Sequence, residues 1–459
     1  MRYLALCCDY DGTIARHGVV DEATLAALER LVDSGRRLVL VTGRQLDDLQ
    51  QVMPRLDVFE RIVAENGALM YAPATREETL LAKPPPAALA QALVERGVQP
   101  LAVGRVIVAT WEPHEATVLQ TIRDLGLELQ VIFNKGAVMV LPSGVNKASG
   151  AATALASMGL SPHNAVGVGD AENDHALLAS CECAVAVANA LPALREAADF
   201  VTAGDHGAGV AELIDALIVD DLATRSAHIQ RHRIAIGRTA DGYTLQLPGH
   251  GASVLVAGTS GSGKSALTTG LIERIGERGY STCVIDPEGD YEGLPGVVAL
   301  GTPERAPSLD EAMQLLAQRG NSVLNLVGMP LADRPAFFAA LLPRLQAQRA
   351  STGQPHWLVI DEMHHLLPAS RPVPVGASWP ALANSLQISV HADLIAPAAL
   401  AGVNVMIAIG GEPLADLQRF AATSGQAVAT SPDIAEPALQ TGEAVCGSAT
   451  PRRRCSGCS

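Results

Sequence analysis

Asp9 and Asp11 stand one residue apart in Asp9-Tyr10-Asp11-Gly12-Thr13, where the first apolar run of the chain ends. A carboxylate at a strand end can attack phosphorus once the repulsion between the two negative groups is neutralised. Mg²⁺ does this by bridging the carboxylate and the phosphoryl oxygens. A second carboxylate two residues on points the same way in extended chain, and can protonate a leaving group and then activate water. Gly12 supplies the turn and Thr13 a hydroxyl. A second phosphate chemistry lies mid-chain, in Gly258-Thr259-Ser260-Gly261-Ser262-Gly263-Lys264-Ser265. There the backbone N–H groups form an anion nest at a helix N-terminus, Lys264 reaches the β- and γ-phosphates, and Ser265 ligates Mg²⁺.

Three further clusters follow the first pair in chain order: Val41-Thr42-Gly43-Arg44, Gly144-Val145-Asn146-Lys147 and Gly169-Asp170-Ala171-Glu172-Asn173-Asp174. The first offers a hydroxyl and a backbone amide, the second an ammonium, and the third hard oxygen donors for a cation. With Asp9 to Thr13, these elements resemble the haloacid dehalogenase superfamily of phosphatases over residues 1–215. The resemblance implies an aspartyl-phosphate on Asp9, with Asp11 as general acid and base. It also implies phosphoryl contacts from Thr42, Gly43, Lys147 and Asn173. The Mg²⁺ site it implies comprises Asp9, Asp11 through its backbone carbonyl, and Asp170, with Asp174 in support. The insertion between Thr42 and Lys147, preceded by Glu65-Asn66-Gly67, resembles the type-IIB cap of Cof- and sucrose-phosphatase-like enzymes. Small sugar or cofactor phosphates are the substrates that subclass implies. Arg44 is a second candidate contact to substrate; the alternative is a solvated charge at a helix start.

The glycine-rich loop follows a strand and opens a helix, the context a Walker A motif requires. Trp357-Leu358-Val359-Ile360-Asp361-Glu362 reads as Walker B, with Asp361 on Mg²⁺ and Glu362 polarising the attacking water. With Ile285-Asp286-Pro287-Glu288-Gly289-Asp290-Tyr291, these motifs resemble the HerA/FtsK-type P-loop ATPases over residues 234–445. That clade implies ATP as ligand and a homo-oligomer. Ser389-Val390-His391 stands where a polar sensor is expected, with His391 either the sensor or an ordinary strand-end histidine. Arg334, Arg344 and Arg349 are read as solvated charges on an exposed helix, any of them a candidate arginine finger. His364-His365 is read as surface.

Positioning these groups needs strands that end at them. In residues 1–70, strand Tyr3–Cys8, helix Asp21–Ser34, strand Arg37–Val41 and strand Arg61–Ala64 alternate, the rhythm of a parallel sheet that binds ligands at its strand ends. The expected fold is α/β. A haloacid dehalogenase-type Rossmann-like core spans 1–71 and 136–218, interrupted by a small α+β cap at 72–135. A linker helix at 219–233 leads to a RecA-like P-loop NTPase domain at 234–445, with a hairpin at its start. Arg371 to Pro380 reads as a surface loop, and 446–459 as a disordered tail.

The 459 residues exceed one ordinary core. Aromatics are 3% and hydrophobics 48%, so the cores are built from Ala, Val and Leu. A net charge of −15 disfavours a broad nucleic-acid face and leaves that partner open. The 8 cysteines fall at no ligand spacing beyond Cys455-x-x-Cys458, and are expected reduced in a cytoplasmic protein without a membrane span. The reading is a Mg²⁺-dependent phosphomonoesterase joined to an ATPase. Two alternatives stand beside it: a polynucleotide kinase-phosphatase-like end-processing enzyme, and an NTP-regulated module that senses a phosphorylated ligand.

Overall fold

The first βαβ unit forms where its residues dictate. Asp21 caps the helix Glu22–Asp33, its carboxylate accepting from Thr24 N at 2.7 Å, while Ala27, Leu28 and Leu31 turn inward. Gly35, at φ 85°, lets the chain leave that helix for the strand Arg37–Val41. The computed structural model describes residues 1–371, 382–429, 439–440 and 442–451. It divides into two units, Met1–Arg231 and His232–Ser459.

The first unit is built on an eight-stranded sheet. Its spatial order is Phe200–Val201, Cys183–Ala186, Ala165–Gly169, Ala5–Cys8, Arg37–Val41, Arg61–Ala64, Leu69–Ala72 and Glu77–Leu80. The first six strands are parallel, so the chain leaves Ala5–Cys8, Arg37–Val41 and Ala165–Gly169 on one edge. Asp9, Thr42 and Asp170 are the residues immediately beyond those ends. The parallel register brings them together, as expected of this sheet type.

The last two strands are antiparallel; Leu69–Ala72 closes the stretch read as core, and Glu77–Leu80 lies inside the stretch read as cap. Glu65, Asn66 and Gly67 all take positive φ (52°, 55° and 108°), which reverses the chain. Leu69–Ala72 must therefore pair back beside Arg61–Ala64 in the core sheet. The opposite correction applies after residue 135. Ala137–Pro142, read as returning to the core, pairs with Leu129–Asn134 across the two-residue turn Lys135-Gly136. It completes a four-stranded antiparallel cap sheet in the order Ala102–Val103, Val108–Trp111, Ala137–Pro142, Leu129–Asn134. Leu89 and Leu93 of one helix and Val118 and Ile122 of another pack with Val108, Val138 and Val140 of this sheet.

The linker helix expected at 219–233 is not present. Valine and leucine at helical spacing (Val210, Leu213, Ile214, Leu217) bury the face of a helix that runs His206–Asp220 and packs in the core. Asp221, at φ 55°, ends it, and Ala223–His228 is a 3₁₀ segment.

In the second unit, Ile234–Arg238 and Thr244–Leu247 form the expected hairpin. The main sheet has nine strands, ordered Val297–Leu300, Asn321–Asn325, Thr282–Asp286, Trp357–Ile360, Ser385–Ser389, Ser253–Ala257, Val405–Ala408, Val445–Pro451 and Gln426–Ala429. The first seven are parallel. Disorder from 446 onward is not observed for 446–451. Val445–Pro451 is a strand paired antiparallel with both neighbours. Most of the loop read at 371–380, and the tail with Cys455 and Cys458, lie outside the described residues. Among the described residues the six cysteines form no disulfide, and all but Cys446 are buried. No described helix is long and apolar enough to cross a membrane.

The join between core and cap runs through Glu65, whose carboxylate is wholly buried. It accepts from Arg105 N at 2.8 Å, Val106 N at 2.7 Å and Ile107 N at 2.9 Å. Glu65→Ala leaves three backbone donors without an acceptor, two of them buried, and is expected to cost about 3 kcal/mol. The shift of the urea midpoint measures this; an unshifted midpoint would show that the join does not depend on the carboxylate.

Candidate active sites

In the first unit the buried centre is Lys147, the first residue of the helix Lys147–Ser157. Asn146 caps that helix, accepting from Ser149 N at 3.0 Å. The Lys147 ammonium is 1% exposed and donates to Asp9 Oδ1 at 2.5 Å and Asp174 Oδ1 at 2.6 Å. Asp174 Oδ2 in turn accepts from the backbone N–H groups of Asp170 (2.9 Å) and Ala171 (3.0 Å). Thr13 Oγ1 lies 3.3 Å from both Asp9 Oδ2 and Asp170 Oδ1. Gly12, at φ 89°, passes so close that a Cβ there would lie 2.3 Å from Asp170 Oδ2. Glycine is required on both counts.

Burial, and then the charge of Asp174, push the Asp9 carboxyl above its usual range, while Lys147 pulls it down. Burial alone would lower the Lys147 ammonium, but Asp174 and Asp9 outweigh it and the net shift is upward. The Asp170 carboxyl is raised, chiefly by burial. Oxygens of Asp9, Asp170 and Asp174 lie within 4.8 Å of one another. The donor set suits a hard divalent cation such as Mg²⁺. A positive group already stands there: the Lys135 ammonium donates to Asp170 Oδ2 at 2.7 Å and to the Asp11 carbonyl at 3.2 Å.

Other expected residues are placed as follows. Thr42 is buried, and its hydroxyl accepts from Arg44 N at 3.1 Å. Gly43 lies beside Asn173, whose Nδ2 donates to Asn66 Oδ1 at 2.9 Å. Asn66 Nδ2 and Asn173 Oδ1 are buried with no partner among the described residues. Arg44 grips both Asp11 oxygens (2.6 and 2.8 Å) and uses Nη1 on Asp48 at 2.6 Å. It is an ion-paired side chain, not the solvated charge of the alternative reading. Asp9, Asp11, Gly43 and Arg44 line a cavity of 620 Å³ under the cap, walled also by Leu101, Ala109, Trp111, Lys135 and Met139. Sequence reasoning missed Lys135 and the role of Asn66. The Asn134-Lys135-Gly136 turn between apolar strands was the available signal for Lys135.

In the second unit the loop Gly258 to Ser265 joins the buried strand Ser253–Ala257 to the helix Lys264–Glu277. A Cβ at Gly258 would lie 2.3 Å from the Ile409 carbonyl, so the loop can sit against the neighbouring strand end only with glycine there. The Lys264 ammonium donates to the loop's own carbonyls at Gly258 (2.9 Å) and Thr259 (3.2 Å). Ser265 Oγ donates to Asp290 Oδ2 at 3.0 Å. Asp286 shapes that acidic loop by accepting from the N–H groups of Glu288, Gly289, Asp290 and Tyr291. Asp361 is buried, and its carboxyl is raised to about 8 by burial and by the neighbouring Glu362 charge. Glu362 sits at φ 40°, with Oε2 3.1 Å from His364 Nδ1.

His364 is half-buried rather than a surface residue, and Ser389 Oγ lies 3.2 Å from its Nδ1. His391 is engaged by Asp416 (3.1 Å) and Arg419 (3.2 Å), whereas Ser389 is the residue at hydrogen-bond distance from His364 beside Glu362. Arg349 is not an exposed charge: Nη2 donates to the carbonyls of His356 and Ala383, and burial lowers the guanidinium to about 10. Arg334 donates to the Met329 carbonyl, and Arg344 pairs with Asp310.

Residues 6–100 and 103–214 match the haloacid dehalogenase-like hydrolases, and residues 250–342 match the central domain of helicase HerA. The second match includes the glycine-rich loop and Asp286 to Asp290, and ends before Asp361. A phosphoglycolate phosphatase of Methanothermobacter thermautotrophicus is 30% identical over 220 residues, 46% of this chain and 96% of that protein. Another, of Halorubrum lacusprofundi, is 30% identical over 232 residues, covering 48% of this chain and 98% of its own. The solved sucrose-phosphatase of Synechocystis, in complex with sucrose and phosphate, aligns at a TM-score of 0.37 and 21% identity, covering 47% of this chain and 98% of that one.

Removing the Lys147 ammonium leaves two buried carboxylates facing each other. Lys147→Ala is expected to destabilise the first unit by about 3–5 kcal/mol at pH 7, read from denaturant unfolding. Asp361 provides a pH test. Its folded pKa lies above the ordinary carboxyl value, so without metal its contribution to stability is present below about 4 and lost as pH rises through about 8. Asp361→Asn is expected to flatten that fall relative to the parent chain in thermal melts between those limits. Parallel pH profiles would contradict the assignment.

Proposed function

Because this chain belongs, through residues 6–214, to the haloacid dehalogenase-like hydrolases, we propose that its first unit hydrolyses phosphomonoesters through an aspartyl-phosphate on Asp9. The observation that carries this is the Asp9 carboxylate itself. It lines the cavity, with one oxygen fixed by Lys147 and the other beside Thr13. Asp9 attacks phosphorus as the ester P–O bond breaks, and Asp11 gives its proton to the departing alkoxide. Asp11 then takes a proton from water, whose oxygen displaces Asp9 and releases inorganic phosphate. This role asks Asp11 to leave the Arg44 fork that engages both its oxygens.

Asp9, Asp170 and the Asp11 carbonyl would hold Mg²⁺, with Asp174 behind them; when bound, the cation supplies the charge neutralisation that lets a carboxylate approach a phosphoryl group. Lys147 and Thr42 support the phosphoryl oxygens, and Gly43 and Asn173 complete that side. The substrate is a small phosphorylated metabolite. The apolar walls of the cavity, and relatives named phosphoglycolate phosphatases, favour a short phosphorylated acid over a hydroxyl-rich sugar phosphate.

For the second unit the reading is ATP binding and hydrolysis. Gly258 to Ser265 cradle the phosphates, Ser265 and Asp361 would hold Mg²⁺, and Glu362 orients water. The match to the HerA central domain supports it over the loop itself.

Wild-type chain is expected to hydrolyse p-nitrophenyl phosphate, and Asp9→Asn to fall to background while keeping ATP hydrolysis. Lys264→Ala is expected to reverse the pattern. Equal p-nitrophenyl phosphate rates from wild type and Asp9→Asn overturn the first reading, and ATP hydrolysis that survives Lys264→Ala overturns the second.

A further inference from the structure

Lys135 sits at the tip of the cap hairpin, in a turn whose two central residues both have positive φ (49° at Lys135, 83° at Gly136). Asn134 and Ala137 are the last pair of the ladder below it. Such a turn follows the natural twist of its strands, so the position of Lys135 is set by the cap sheet rather than by a loose loop. The side chain spans from cap to core and places its ammonium on Asp170 Oδ2 and the Asp11 carbonyl.

Among the described residues lining the 620 Å³ cavity, the cationic ones are Arg44 and Lys135. Arg44 engages Asp11 through Nε and Nη2 and Asp48 through Nη1, so Asp48 still balances its charge when Asp11 turns to the leaving group. Lys135 is differently placed. Its two acceptors are oxygens that a divalent cation claims, and an ammonium and a metal ion repel each other at one seat. Its backbone is fixed at the turn and its half-exposed side chain lines the cavity, so an ammonium that yields those oxygens is within reach of a ligand held there. Of the cavity's carboxylates, Asp9 is paired with Lys147, and Asp11 and Asp48 with Arg44. Leu101, Ala102, Ala109, Trp111 and Met139 offer Lys135 no negative partner. A substrate carboxylate close to the phosphoester supplies one.

We propose that Lys135 is the specificity-determining residue of the site. It binds the carboxylate of a short phosphorylated carboxylic acid, and so selects such acids over uncharged alkyl phosphates. This rests on the phosphomonoesterase reading of Asp9. A charge-assisted contact in a largely apolar cavity discriminates strongly, because a ligand without the carboxylate leaves the ammonium unpaired.

The test compares 2-phosphoglycolate with ethyl phosphate, which has a methyl group in place of the carboxylate, using the full chain with Mg²⁺. Wild type is expected to favour 2-phosphoglycolate in kcat/KM. Lys135→Ala is expected to reduce that preference about 10- to 100-fold, mainly through KM, and Lys135→Arg to restore part of it. Calorimetric titration with Mn²⁺ alone is the second readout. Lys135→Ala is expected to bind the metal at least as tightly as wild type, since a competing ammonium is gone.

Equal losses on both esters would mean that Lys135 serves the phosphoryl group, and would overturn the proposal; weaker Mn²⁺ binding would do so by making it part of the metal site. A wild type with no preference between the esters sinks the selectivity and leaves the phosphatase standing. No turnover of either ester, or of p-nitrophenyl phosphate, removes both.

Discussion

One buried ammonium keeps the first site assembled. Asp9 and Asp174 are each almost wholly buried, and two carboxylates so placed repel one another and pay for lost hydration. Lys147 lies between them at hydrogen-bond distance from both, and itself remains charged only because they surround it. Asp174 then holds the backbone of Asp170 and Ala171, and Asp170 meets Thr13 and Gly12 from the first strand's loop. Remove the ammonium and the contacts that bring three separate strand ends to one point lose their common centre. The parallel sheet brings the chain there; the charge balance makes the place tenable.

The second unit solves a related problem differently. Asp286, Asp361 and Glu362 all have raised carboxyl pKa values, with burial the largest cause of each; Lys264 opposes the rise at Glu362, but among the described residues no lysine forms an ion pair with any of the three. The P-loop lysine is turned onto carbonyls of its own loop. Strand Ser385–Ser389 separates the P-loop strand from the strand that ends at Asp361. It delivers Ser389 to His364, and His364 stands beside Glu362. The first site is pre-balanced by its own cation, whereas the second gathers negative charge beside its glycine-rich loop.

Much of this was legible in the residues. Asp21, Gly35 and the 27-28-31 spacing specify the first helix, and the apolar runs at 37–41, 61–64, 297–300 and 357–360 are strands over those spans. Errors fell where pairing partners, rather than local pattern, decide the outcome. An apolar run such as Ala137–Pro142 fits core or cap equally, and only its partner Leu129–Asn134 assigns it. Val445–Pro451 has weak strand character of its own and forms between two neighbours that supply its hydrogen bonds. The charges at 220–233 suggested a helix, but the burial that stabilises one belongs to Val210 through Leu217.

The sequence by itself determined which atoms could do chemistry. Paired aspartates at a strand end, a lysine at a helix start and a glycine-rich loop are local patterns, set by residue type and spacing of a few positions. Tertiary structure decided which of those atoms meet and what each becomes on meeting. Arg44 proved to be the partner of Asp11, and Arg349 a buried donor to carbonyls rather than a free charge. Lys135, 124 residues from its acceptor at Asp11 and 35 from that at Asp170, entered the site only when the cap hairpin folded over it. The reason is physical. Burial, charge pairing and pKa depend on distances across the fold, and those distances exist only after the sheet has set its register.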